Sequence, residues 1–151
     1  PESLPDHNLA SSWRASALRG GNPGTNDVCP AFVGDATTDA DLDGVPALIE
    51  YYLGTSDGTF GDTQPNLEYG TMVELGQIFP TYTVTYKVGT DEVEASAQVS
   101  LDLENWSNLA ADIVLHQRVS NGDGTATSIW RSTRPFSTTP RQFFRLRVLI
   151  E

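Results

Sequence analysis

At 151 residues, with 38% hydrophobic side chains and a formal net charge of −11, the chain fits one domain, or one compact domain with an ordered appendage. The acidic excess argues against nucleic acid and anionic membrane surfaces as partners, and no apolar run approaches the roughly 20 residues of a membrane-spanning helix. A single cysteine, Cys29, excludes an internal disulfide; with only His7 and His116 available as bases, and neither near it in sequence, Cys29 reads as a small half-buried residue and not a nucleophile.

The chain opens at Pro1 without a charged and apolar leader, so any export signal is expected outside this sequence, as in the tail of a larger protein. Residues 1–34 contain Pro5, Pro23, Pro30 and "RGGNPG" and show no sustained period; they are expected to be an irregular leader, or the end of a preceding domain, anchored by Trp13. Residues 35–66 hold an acidic loop, one short helix and the turn-rich "GTSDGTFGDTQPN". Residues 67–151 read as an antiparallel β-module.

Within that module, Tyr82, Val84, Tyr86 and Val88 alternate with Thr83, Thr85 and Lys87, and Val93, Ala95, Ala97, Val99 and Leu101 alternate with Glu94, Ser96, Gln98 and Ser100. Each run has one apolar and one wet face, and the short "GTD" between them suits a hairpin. Further strands are expected at Met72–Leu75, Ile113–Val119, Thr125–Ser132 and Gln142–Ile150, with "NGDG" at 121–124 closing a second hairpin. In the last of these, Phe144, Leu146, Val148 and Ile150 are expected to face the core, and Arg145 and Arg147 to point outward. Six of the nine basic residues fall from Arg118 onward, where they face the chain's own acidic surface or solvent. Trp106 and Trp130 read as core or lid residues. The fold class is thus mainly β: a small antiparallel β-sandwich or meander with one short helix after the acidic loop.

The acidic loop carries the chemistry. In "DADLDGVPALIE", counted from Asp39, carboxylates fall at positions 1, 3, 5 and 12 as Asp39, Asp41, Asp43 and Glu50; Gly44 stands at 6 and Val45 offers its carbonyl at 7. Like charges at this density repel unless a cation sits among them. A Ca²⁺ ion takes about 6–8 hard oxygens at roughly 2.3–2.6 Å, and this spacing wraps such a shell, with Glu50 returning bidentate from a helix and a water at the Ala47 corner. A solvated acidic turn capping the helix is the competing reading. Asp35, Asp57 and Asp62 are further carboxylates that this site or a second one could use.

The motif is loop-then-helix only, because "FVGDATT" before Asp39 is poor helix material. EF-hands pair through the backbone at position 8, and Pro46, at that place, has no N–H, so a paired calcium switch is not expected. Pro46 suits the first turn of a helix over Ala47–Leu53 that ends at Gly54, with Leu48, Tyr51 and Tyr52 on its docking side.

The run "DADLDGVPALIEYYLGTSDG" resembles the calcium-binding repeat of large secreted bacterial surface proteins, akin to thrombospondin type 3 and dockerin loops. The leader "LASSWRASALRGGNPGTND" is similar to the end of lamin-tail-like domains, and "VSLDLENW" with "RQFFRLRVLIE" resembles the terminal β-module of many such proteins. The resemblance implies an extracellular or cell-surface location and a non-catalytic role in structural attachment or assembly, with other surface proteins or the parent chain as partners. A carbohydrate-binding module using Trp106, Trp130 or tyrosines, and a C-terminal secretion or sorting domain, are the alternatives. An enzyme is the least favoured reading, since carboxylates that hold a metal leave no open position for substrate.

Overall fold

The computed structural model describes residues 31–63 and 66–150; the leader up to residue 30, with His7, Trp13 and Cys29, lies outside the described residues. Among the described residues, one helix, α1 (Ala47–Leu53), precedes six strands: β1 (Leu67–Glu74), β2 (Gln77–Lys87), β3 (Val93–Ser100), β4 (Ile113–Ser120), β5 (Thr125–Ser132) and β6 (Phe143–Ile150). They form two antiparallel sheets, one of four strands in the order β1-β2-β5-β4 and one of two, β3-β6, in keeping with a small β-sandwich.

The expected hairpin at "GTD" does not form. Strand β2 is central in the larger sheet, with β1 on one edge and β5 on the other, so no edge is free for β3, which pairs instead with β6. Segment 88–92 therefore crosses from one sheet to the other, tied by Val88 N–H to the Gly124 carbonyl and Val93 N–H to the Thr90 carbonyl. The two apolar rows meet across the core rather than side by side: Tyr82 and Val84 from β2, Ile113 from β4, and Ala97, Val99, Phe144 and Val148 from the small sheet form one cluster with Leu48, Tyr52 and Leu53 of α1. A period of two gives the same apolar face in either arrangement, so the alternation alone could not choose between them.

The second hairpin forms as expected, with Ser120 opposite Ala126 and residues 121–124 turning between β4 and β5. Strand β1 starts at Leu67, five residues earlier than its alternation signals, and joins β2 through the two-residue turn Leu75-Gly76. Both turn residues have positive φ, +50° and +75°, as a type I′ turn requires. Leu75 is a poor occupant of that conformation and is 99% exposed, so it gains nothing from packing. Leu75→Asn is therefore expected to raise stability by roughly 0.5–1 kcal/mol, read as a higher midpoint at unchanged slope in a urea titration.

On β6, Phe144 and Val148 are buried, Leu146 packs half-buried against the same cluster, and Arg145 and Arg147 point outward. Ile150, expected in the core row, is 52% exposed, because its pair with Val93 is the last of the small sheet. The arginines find partners of the expected kind: Arg131 pairs with Glu74 at 3.2 Å and Arg134 with Asp112 at 2.6 Å. Arg145 does more. Its guanidinium lies 4.3 Å from the centre of the half-buried Trp106 ring, and its Nε donates to Oε1 of buried Gln98 at 2.8 Å. Trp130 packs half-buried against the core.

Helix α1 docks by Leu48, Tyr52 and Leu53, with Tyr52 stacked on Tyr86 at 5.0 Å between ring centres. Gly54 ends it in the left-handed conformation, φ +79°, and its N–H returns to the Glu50 carbonyl at 2.8 Å, while Pro46 stands at the N-cap. The Glu92 carboxylate fastens the helix from outside, accepting from the Tyr51 hydroxyl at 2.6 Å and the Phe32 N–H at 3.0 Å. Those bonds hold Glu92 below its ordinary pKa, the Tyr51 hydroxyl most strongly.

Candidate metal centre

Residues Asp39 to Val45 fold on themselves through their own carboxylates. The Asp39 carboxylate accepts from Asp43 N–H at 3.2 Å and Gly44 N–H at 3.0 Å; Asp41 accepts from Asp43 N–H at 3.1 Å, and Asp43 from Val45 N–H at 2.8 Å. These bonds curl the chain so that side chains at alternate positions converge, and Gly44 takes the sharp corner at φ +90°. Leu42, at position 4, also sits at positive φ, +61°, with its side chain in solvent. The outcome is that one carboxylate oxygen each from Asp39, Asp41 and Asp43 lies within 4.8 Å of the other two, close enough for the three to hold a metal ion.

Glu50 arrives from α1. It is 1% exposed, and neither of its carboxylate oxygens has a hydrogen-bond donor. The Oδ2 of Asp41 is likewise buried without a donor. Burial, then the charges of Asp41, Asp62, Asp43 and Asp57, push the Glu50 carboxyl up to about 7. Burial also raises Asp41, with Asp43 and Asp39 adding to it. The oxygens that Asp39, Asp41 and Asp43 bring together are hard donors, of the kind that hard cations prefer.

The loop after the helix closes over this cluster. Gly61 N–H donates to Asp43 Oδ2 at 3.1 Å, Ala40 N–H to Asp57 Oδ1 at 2.8 Å, and Ser56 N–H to Asp62 Oδ2 at 3.0 Å. Of the further carboxylates named from sequence, Asp57 and Asp62 therefore border the cluster. Asp35 does not join it through its own bonds: its carboxylate accepts from the N–H and hydroxyl of Thr37, which lower its pKa. The tie from Glu92 to Tyr51 and Phe32 has no sequence signal, because its partners stand 41 and 60 residues away.

The metal-free chain should lose stability as pH rises from about 4.5 to about 7. Glu50 keeps its proton in the folded state up to about 7, whereas the unfolded chain releases it near the ordinary glutamate value of 4.5, so within that window the unfolded state binds fewer protons and is favoured with rising pH. Asp35, Asp102 and Glu92 are shifted the other way, and their contributions are lost only at more acid pH. Melting temperatures of chelator-treated protein at pH 5, 6 and 7.5 should fall in that order, and a Glu50→Gln variant should lose the trend.

No protein-family model matches the chain, and comparison with curated proteins and with solved structures finds none similar to it. Among the described residues, no helix is long and apolar enough to cross a membrane.

Proposed function

We propose that the chain is a non-catalytic, calcium-stabilised β-module of an extracellular or cell-surface protein, serving structural attachment or assembly. The observation that carries the reading is Glu50: a buried carboxylate with two oxygens lacking donors, set among other carboxylates, is a costly arrangement that a cation relieves. The metal is Ca²⁺ on the chemistry of the shell. Asp39, Asp41 and Asp43 supply side-chain oxygens, Val45 its carbonyl and Glu50 a bidentate carboxylate, a number and flexibility of hard donors that suits Ca²⁺ better than Mg²⁺. A loop of this kind on an extracellular module fills where free Ca²⁺ is plentiful, with Kd on the order of 10⁻⁴–10⁻³ M, which favours the outside of the cell.

The ion's work is mechanical. It joins the loop to α1, and α1 docks on both sheets, so binding fastens the acidic segment to the β-body. A sugar-binding surface is less well supported, since Arg145 occupies one face of Trp106 and Trp130 packs against the core.

Calorimetric titration of CaCl₂ into chelator-treated, desalted protein should show saturable binding in that millimolar-to-submillimolar range. Stability should rise by RT ln(1 + [Ca²⁺]/Kd), about 2.7 kcal/mol at a hundredfold excess over Kd. An absence of binding heat together with an unchanged melt would sink the reading.

A further inference from the structure

We propose that Asp62, outside the twelve-residue loop, is a direct ligand of the same ion and takes the coordination corner that Ala47 leaves to water. This inference rests on the calcium reading above and extends the ligand set from Asp39–Glu50 to Asp39–Asp62.

The Asp62 carboxylate is divided: Oδ2 accepts the Ser56 N–H at 3.0 Å, which fixes the side chain's direction, while Oδ1 is buried and has no donor. Among the described residues, three carboxylates thus hold buried oxygens without donors: Asp41 on the loop, Glu50 on α1 and Asp62 on the segment after the helix. Glu50 is the independent sign of a ligand here, being 1% exposed with both oxygens unpartnered. The residue before Asp62 is fastened to the loop directly, Gly61 N–H donating to Asp43 Oδ2, so Asp62 is held beside the ligands by a bond that does not involve its own side chain.

Asp57 makes the contrast. It comes from the same segment and also acts on Glu50, but its Oδ1 accepts the Ala40 N–H, and neither of its oxygens is buried without a donor. Asp57 braces the loop backbone, whereas Asp62 has an oxygen left for the ion. Position 9 of the loop is Ala47, which has no side-chain oxygen, so a seventh donor must come from water or from elsewhere in the chain. Asp62 is that donor, and its charge strengthens a shell in which Pro46 and Ala47 contribute none.

The test compares wild type, Asp62→Asn and Asp57→Asn, which remove equal charge from one neighbourhood. Ca²⁺ affinity is measured by calorimetry, and the number of metal-bound waters by luminescence lifetimes of Tb³⁺, bound in place of Ca²⁺, in H₂O and D₂O. Asp62→Asn should weaken Ca²⁺ by on the order of tenfold or more and admit about one more water; Asp57→Asn should have a smaller effect on affinity and leave the water count unchanged. The Asn carbonyl still accepts the Ser56 N–H, so in chelator Asp62→Asn should melt no lower than wild type. If wild type binds Ca²⁺ and Asp62→Asn matches it in affinity or water count, the inference falls and the calcium reading stands. Equal loss of melting temperature with and without Ca²⁺ would make Asp62 a turn-holding residue only, and wild type that binds no Ca²⁺ overturns both.

Discussion

Tyr82→Ala should cost about 3–5 kcal/mol, the loss that follows deletion of a large buried aromatic ring. Tyr82 is 1% exposed and stands where the sheets and an edge strand meet: its ring stacks on Tyr69 of β1 at 5.2 Å and lies 5.9 Å from Phe144 of β6. The Tyr69 hydroxyl in turn donates to the Phe144 carbonyl at 3.2 Å, so loss of the central ring loosens a contact between the sheets as well as opening a cavity. For a chain of this size the melting temperature should drop by roughly 10–20 °C. Leu149→Ala, on the outward face of β6 and 40% exposed, serves as control and should stay within about 0.5 kcal/mol. Similar losses from the two, in a denaturant titration, would mean that the core does not lie between the sheets.

Glu50→Gln should change sign with calcium. In chelator at pH 7.5 the substitution removes a buried charge and supplies an amide N–H₂ that can donate to the orphaned oxygens of Asp41 and Asp62, so stability should rise by roughly 1–3 kcal/mol. If Glu50 is the bidentate ligand proposed above, the variant in excess Ca²⁺ should forgo most of the gain expected of wild type and become the less stable of the two. Melting curves of both proteins in chelator and in 10 mM CaCl₂, a hypothetical saturating concentration of about ten times the weakest expected Kd, decide the matter. A variant that is less stable in both conditions would assign Glu50 a packing role alone.

The convergence of Asp39, Asp41 and Asp43 was legible in the sequence, because its geometry is local. Asp39, Asp41 and Asp43 converge through bonds spanning two to five residues, and Glu50 follows on a helix whose start at Pro46 and stop at Gly54 are residue-specific signals. The strands beyond Gln77 were legible for the same reason, since alternation is read within one strand. Pairing was not. Which sheet β3 joins depends on whether β2 has a free edge, and that is settled by β5, more than thirty residues further on. The Leu75-Gly76 turn escaped notice because leucine is not a turn-forming residue, and its positive φ is imposed by the strands on either side. The outward place of Arg145 was legible, but its cover over Trp106 and its bond to buried Gln98 were not, so Arg145→Ala should cost more than an ordinary surface change.

The pairing of β3 with β6 also governs how the chain can reach this structure. Gln98 and Arg145, joined across that small sheet, are 47 residues apart, so one of the two layers cannot close until β4, β5 and the segment after them have been made and placed. A chain emerging from its N-terminal side can zip β1 to β2, and then β5 to β2, while β3 waits with its apolar face uncovered. Closing so long a loop is slow, and rates fall as pairings become less local. The acidic loop, by contrast, depends on neighbours within about two dozen residues and can assemble early. Refolding should therefore show a fast phase that calcium accelerates and a slower one, set by arrival of β6, that calcium leaves alone.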